Sequence, residues 1–249
     1  MLIIAAGDGR FDVDAVVFDK DGTLVDFNHM WGPRVVRWVQ ALAEQAGCPA
    51  CIDPLYSVLG FDPERMEAVP DGPVATASTA DIYALAAGVL FEHGLGWYRA
   101  RPLAISSAET TIAAPPQPAE IRPLGNVKGA FRRLRAAGLP IAIHTNDDRA
   151  LTQETLEQLG VAGEVAVMAC GDDELPPKPD PAGLRWIAAE LGTTPERLVF
   201  VGDSAADMLA ARNAGAAAVG LASGSGTHAG LEALASALIR SIDELRVVG

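Results

Sequence analysis

Val127-Lys-Gly-Ala-Phe131-Arg-Arg-Leu134-Arg-Ala-Ala137-Gly138-Leu-Pro140-Ile141-Ala-Ile-His-Thr145 holds two periods in succession. Val127, Ala130, Phe131, Leu134 and Ala137 recur at helical spacing, with Arg132, Arg133 and Arg135 off that face. Gly138 ends the helix and Pro140 forbids its continuation. Ile141–Thr145 is then a short apolar run, predicted as a strand. The alternation continues downstream, with a helix over 149–159 closed by Gly160, a strand over Glu164–Cys170 and a helix over Pro181–Leu191. A strand over Leu198–Gly202, a helix over Ala205–Ala214 stopped by Gly215, and a strand over Ala217–Leu221 complete it. Units of this pitch predict an α/β, Rossmann-like core with a mainly parallel sheet, in which ligands bind beyond the carboxyl ends of the strands.

Upstream, Val13-Asp-Ala-Val-Val-Phe-Asp19 reads as a further strand buried on both faces, and residues 2–6 as a strand before it, turned by Gly7-Asp8-Gly9. The segment that follows breaks this rhythm. A helix with Pro33 near its start carries Val35, Trp38, Val39, Leu42 and Ala46 on one face and ends at Gly47. A shorter helix follows Asp53-Pro54, and Ser78-Thr79-Ala80-Asp81 is a capping box for a helix through Glu92. Residues 101–125, with Pro102, Pro115, Pro116, Pro118 and Pro123, read as a connecting segment. The expected organisation is a catalytic core over 1–26 and 122–249 and a helical cap over 27–121, inserted after the first motif strand.

Composition narrows the function classes. In 249 residues, 32 Asp and Glu stand against 19 Lys and Arg, a net charge of −13. This acidic balance argues against nucleic-acid binding, which needs a basic footprint. An anionic substrate would need local cations or a metal. With 49% hydrophobic residues and a mean hydropathy of +0.20, the chain is expected to fold through most of its length. No stretch reads as a membrane span or signal peptide, and Cys48, Cys51 and Cys170 do not make a disulfide framework, so a cytoplasmic protein is expected.

Four strand ends are each read as terminating in a polar group: Asp19-Lys20-Asp21-Gly22-Thr23, His144-Thr145-Asn146, Pro177-Lys178-Pro179 and Gly202-Asp203-Ser204-Ala205-Ala206-Asp207. Gathering Asp19, Asp21, Asp203 and Asp207 in one crevice is unfavourable without a cation, because like carboxylates raise one another's pKa. A hard divalent ion resolves the conflict, and Mg²⁺ takes few carboxylates plus waters and phosphate oxygens.

These four motifs, in this order, resemble those of the haloacid dehalogenase superfamily of phosphotransferases, closely over 13–26 and about 122–221. The resemblance implies that Asp19 is the nucleophile forming an aspartyl-phosphate, and that Asp21 is the general acid and then the base. It implies that Thr145 hydrogen-bonds a phosphoryl oxygen and that Lys178 offsets the gathered charge. Asp19, the backbone carbonyl of Asp21 and Asp203 would bind Mg²⁺, with Asp207 reaching it directly or through water. Backbone N–H groups near Gly22 and Asn146 are candidate phosphate donors. The acid at position 21 favours a phosphatase or phosphomutase over a dehalogenase. The long insert between Asp19 and Thr145, against the short interval to Lys178, resembles the phosphoglycolate-phosphatase-like branch with its helical cap. A small phosphorylated metabolite is the expected partner. A mutase, or a non-catalytic phosphometabolite-binding protein, stays open beside the phosphatase.

Substrate recognition is expected from Asn28, His29 and Arg34, nearest the first motif, with Arg37, Arg65, Arg99 and Arg101 as further cations, and Lys20 at the pocket rim. Trp31, Trp38 and Trp97 are expected in the cap core. Cys48-Pro49-Ala50-Cys51 has redox or metal spacing but more simply forms a turn at a helix end. Gly202–Ala206 has the outline of a nucleophile elbow around Ser204, disfavoured because only His228 follows and the last position is Ala206. Gly224-Ser225-Gly226 is read as a loop.

Overall fold

Six parallel strands form the central sheet of the computed structural model, which describes residues 2–222 and 228–248. Their order is Ala237–Ile239, Ala217–Leu221, Leu198–Gly202, Ala15–Phe18, Ile141–His144 and Val165–Ala169. Ala15–Phe18 sits between Leu198–Gly202 and Ile141–His144, with Phe18 level with Val201 on one side and Ile143 on the other. The strand order reverses here, so its carboxyl end opens into the crevice where such sheets hold ligands.

Side-chain alternation explains the layering. Val16 and Phe18 point to one face, where Val127, Phe131 and Leu134 of the helix Val127–Ala136 cover them. Ala15 and Val17 point to the other, against Leu184 and Ile187 of Ala182–Glu190 and Met208 of Ala205–Ala214. All four residues of Ala15–Phe18 are buried, as a strand covered on both faces requires. Leu2–Ala6 pairs antiparallel with Gly9–Val13 and with Arg246–Val248 in a separate three-stranded sheet.

Residues 27–112 supply most of a second hydrophobic cluster around Trp38, Leu42, Leu55, Leu59 and Leu90, which Val25 and Leu151 join from outside that stretch. The first helix, Phe27–Ala46, starts earlier than its proline suggests, because the Asp26 carboxylate accepts from the His29 N–H and caps it there. Pro33 therefore lies inside the helix. The region read as a connecting segment begins with a helix, Trp97–Glu109, again with an internal proline. Pro102 lies on its exposed side while Ala100, Ala104, Ser107 and Ala108 pack inward, so water can serve the backbone that the proline leaves unpaired.

Trp31 and Trp38 lie in that one buried cluster as expected, Trp31 also facing the crevice, whereas Trp97 is 42% exposed. Cys48 and Cys51 form a disulfide in the turn after the first helix, while Cys170 is a buried free thiol. No described helix is long and apolar enough to cross a membrane. Gly224-Ser225-Gly226 lies outside the described residues.

Candidate active site

Two charge clusters share the mouth of the central strand. In the first, Lys178 Nζ lies 2.7 Å from Oδ1 of Asp19 and 2.6 Å from Oδ1 of Asp207, all three buried. Asp203 joins them, and one carboxylate oxygen each of Asp19, Asp203 and Asp207 lie within 4.8 Å of one another. Thr23 donates to Oδ1 of Asp203 at 3.1 Å, and the backbone at Gly22 presses so close that a Cβ there would collide with that carboxylate. Gly22 also adopts a φ of 81°, the left-handed region that only glycine enters freely.

The electrostatics of this cluster are incomplete in protein groups alone. Burial raises the Asp19 pKa well above the carboxylate range, Lys178 opposes that, and Asp207 and Asp203 add to it. Burial alone would depress Lys178, yet Asp19 and Asp207 outweigh it and hold the ammonium charged. Three buried carboxylates against one ammonium leave an excess of negative charge. Keeping all three ionised at such close range needs a cation, and the oxygen-rich donor set fits a hard divalent one. Asp207 is the least available ligand: its Oδ1 meets Lys178 and its Oδ2 accepts from both the N–H and the hydroxyl of Ser204.

Those same bonds decide Ser204. It caps the helix Ala205–Ala214 in a reciprocal box with Asp207, which makes it a structural hydroxyl and removes the elbow reading.

In the second cluster, Lys20 Nζ bridges Asp21 at 2.6 Å and Asp147 at 2.9 Å. Lys20 is fully buried beneath the crevice, not at its rim. The Trp31 indole N–H donates to the other oxygen of Asp21 at 2.9 Å, so both carboxylate oxygens are fixed in direction. Burial pushes Asp147 up to about 6, against the pull of Lys20 and with the push of Asp21. Sequence reading places Lys20 at the rim and Trp31 over the site or in the cap core, without their contacts to Asp21, and it misses Asp147; the acidic pair Asp147-Asp148, separated from Thr145 by Asn146, is the available signal.

Thr145 follows the strand Ile141–His144 and borders the crevice, its hydroxyl accepting from the Asp147 N–H at 3.1 Å. Asn146 accepts from the Lys178 N–H at 3.0 Å and donates to the Thr76 carbonyl at 2.9 Å, joining the lysine loop to the helical region. The remaining recognition residues are elsewhere. Arg34 is buried, donating to the carbonyls of Ile112 and Ala114 and pairing with Glu120 at 2.8 Å. Working against burial, this arginine and its neighbours lower Glu120 to about 2. His29 bonds the Ala119 carbonyl and Asn28 accepts from the Ala68 N–H. None of Asn28, His29, Arg34, Arg37, Arg65, Arg99 and Arg101 lines the crevice. The side-chain polar atoms of Asn28, His29, Arg34, Arg37 and Arg65 meet the insert's own backbone and acids, a use that spacing from the first motif does not reveal.

Comparison with known proteins agrees with this architecture. The model of a family described as haloacid dehalogenase-like hydrolase matches residues 13–215. A phosphoglycolate phosphatase from Chromobacterium violaceum is 33% identical over 216 residues, covering 85% of this chain and 86% of its own. The crystal structure of a predicted phosphoglycolate phosphatase from Haemophilus somnus 129PT superposes with a TM-score of 0.68 at 20% identity, covering 94% of this chain and 96% of that one. A β-phosphoglucomutase from Clostridium difficile superposes at 0.64 and 18% identity, covering 94% and 93%.

Proposed function

The chain belongs to the haloacid dehalogenase-like hydrolases, and from that membership we propose a Mg²⁺-dependent phosphomonoesterase that works through an aspartyl-phosphate on Asp19. It is a phosphoric monoester hydrolase of that family, and its substrate is a small organic phosphate, with 2-phosphoglycolate the first candidate from its relatives' names. The observation that carries the reading is the buried Asp19–Lys178 contact at the end of the central strand, with Asp203 and Asp207 beside it.

In this reading Asp19 attacks phosphorus. Lys178 is held between Asp19 and Asp207, where its ammonium neutralises the nucleophile and the transferring oxygens together. The Thr145 hydroxyl and nearby backbone N–H groups orient the phosphoryl group. Asp21 gives its proton to the leaving alcohol, then takes one from the water that hydrolyses the intermediate. Trp31 and Lys20 keep that carboxyl aimed during both steps. Asp19, the Asp21 carbonyl and Asp203 would hold Mg²⁺, with Asp207 at its edge, and the ion would supply charge neutralisation for the nucleophile and phosphoryl oxygens. We assign the core to 1–26 and 122–249 and the cap to 27–121, the cap closing the crevice from water.

Phosphate release from a panel of phosphomonoesters, with Mg²⁺ and with chelator, tests this. Release is expected with Mg²⁺, lost with chelator, and reduced at least about 10³-fold in Asp19→Asn. Wild-type turnover by Asp19→Asn would overturn the assignment. Conversion of a sugar phosphate to its isomer without phosphate release would replace the phosphatase with a mutase.

A further inference from the structure

The wall facing the carboxylates is mostly apolar, with Thr76 and Thr79 as its small polar members. Phe27, Trp31, Val74, Ile82, Ile112 and Leu151 line it, each retaining only 5 to 9% exposure. Tyr83 adds a phenol, held neutral because burial, then Asp148 and Asp147, push it up to about 12.

Charge in the lining has one sign away from the phosphoryl position. Asp147 and Asp148 border the crevice beside Asp19, Asp21 and Asp203. Among the described lining residues Lys178 is the one cation, and both its partners are carboxylates of the reaction centre. Lys20 is sealed below and engaged by Asp21 and Asp147. Arg34 has its guanidinium turned to Ile112 O, Ala114 O and Glu120. A substrate carboxylate would therefore lose its water against an apolar wall and two aspartates, with no cation to receive it, which is the costly case of a buried unpaired charge.

We propose that the natural leaving group is an uncharged, predominantly apolar alcohol, and that this enzyme discriminates against carboxylate-bearing esters such as 2-phosphoglycolate. The proposal rests on the phosphomonoesterase reading and sets aside 2-phosphoglycolate, the candidate taken from its relatives' names, for another class of small organic phosphate. The apolar wall provides the affinity, since each methylene seated there gains tightness while a carboxylate loses it.

The test compares kcat/KM for benzyl phosphate and n-butyl phosphate with that for 2-phosphoglycolate and phosphoethanolamine, on the full-length chain with Mg²⁺. All four are alkyl esters, so differences report the wall more than the leaving-group chemistry. Benzyl and butyl phosphate should exceed 2-phosphoglycolate by at least about tenfold, chiefly through lower KM. Ile82→Lys, which sets a cation in the wall, should shift the ratio toward 2-phosphoglycolate by about tenfold. Equal or better use of 2-phosphoglycolate by the wild type would overturn the proposal and leave the phosphatase standing. Preference for phosphoethanolamine would overturn it in favour of recognition by Asp147 and Asp148. An unmoved ratio in folded Ile82→Lys would place the leaving group away from this wall. No release from any ester would remove the phosphatase reading itself.

Discussion

The floor and the roof of the crevice are built on opposite rules. Strand ends and tight turns make the floor, where Asp19, Asp21, Lys178 and Asp203 each have a fixed direction and a charged or hydrogen-bonding partner. Helices of the insert make most of the roof, where Phe27, Val74, Ile82 and Ile112 present surface without a directed bond from their side chains. Chemistry needs atoms placed to within fractions of an ångström, so it is anchored to backbone whose geometry the sheet dictates. Selection of a leaving group needs shape and polarity, which a packed helical surface supplies.

Breaking the floor should have the largest effect. Lys20→Met leaves Asp21 and Asp147 facing each other without their shared ammonium. Removing one member of a buried charged cluster costs about 3–5 kcal/mol, so a marked fall in Tm is expected. In the protein that remains folded, kcat should drop about 10–100-fold with KM nearly unchanged, because Lys20 aims Asp21 and does not touch substrate. Steady-state kinetics at 15–20 °C, chosen as roughly the range of greatest stability, checks this. A KM effect alone would place Lys20 in substrate binding.

Arg34→Met sharpens the contrast from the other side. Its guanidinium ties the first helix of the insert to Ile112, Ala114 and Glu120. Denaturant unfolding should show a loss of about 2–3 kcal/mol, the worth of charge-assisted bonds left unmade. The ratio of kcat/KM between butyl phosphate and 2-phosphoglycolate should stay as in the wild type. A changed ratio would return Arg34 to the substrate.

The last effect lies beneath the floor and shows only at low pH. His144 is 3% exposed, stacked near Phe200, and burial followed by the charge of Lys178 lowers its pKa from 6.5 to about 3. Between those values the unfolded chain binds a proton that the folded chain refuses, so this residue makes stability rise with pH and fall as pH drops below 6.5. Its contribution to the slope is at most about 1.4 kcal/mol per pH unit. Unfolding of His144→Phe from pH 4 to 6.5 should show a flatter dependence by up to that amount; an identical slope would mean that His144 ionises in the fold.

Much of the floor was legible in sequence because Asp19, Thr145 and Asp203 each stand one residue past a strand whose period and stop signals are local, whereas Lys178 lies in the loop well beyond Val165–Ala169. Asp19, Thr145 and Asp203 fall where apolar runs end, and the structure brings them together as that pattern requires. The roof was not legible. Val74, Ile82 and Ile112 are ordinary apolar residues, and which of them turn toward the crevice depends on how the helices of the insert cross. Arg34 shows the converse error: an arginine near a catalytic motif looks like a ligand, and only the fold reveals Glu120 and two carbonyls waiting for it. Pro33 and Pro102 misled for a third reason, since a proline on a helix face that water reaches costs less than a buried one.

The assignment of Asp19 and Asp21 can be tested in one experiment on Asp21→Asn with an aryl phosphate and Mg²⁺. An aryl leaving group departs without a general acid, so phosphoryl transfer to Asp19 should proceed while hydrolysis of the intermediate, which needs the Asp21 carboxylate, stalls. The expected result is a burst of about one equivalent of phenol per active site, with the phosphoryl group recovered on the peptide containing Asp19 after acid quench. Wild-type steady turnover by Asp21→Asn, or a phosphoryl group on any other residue, would contradict it.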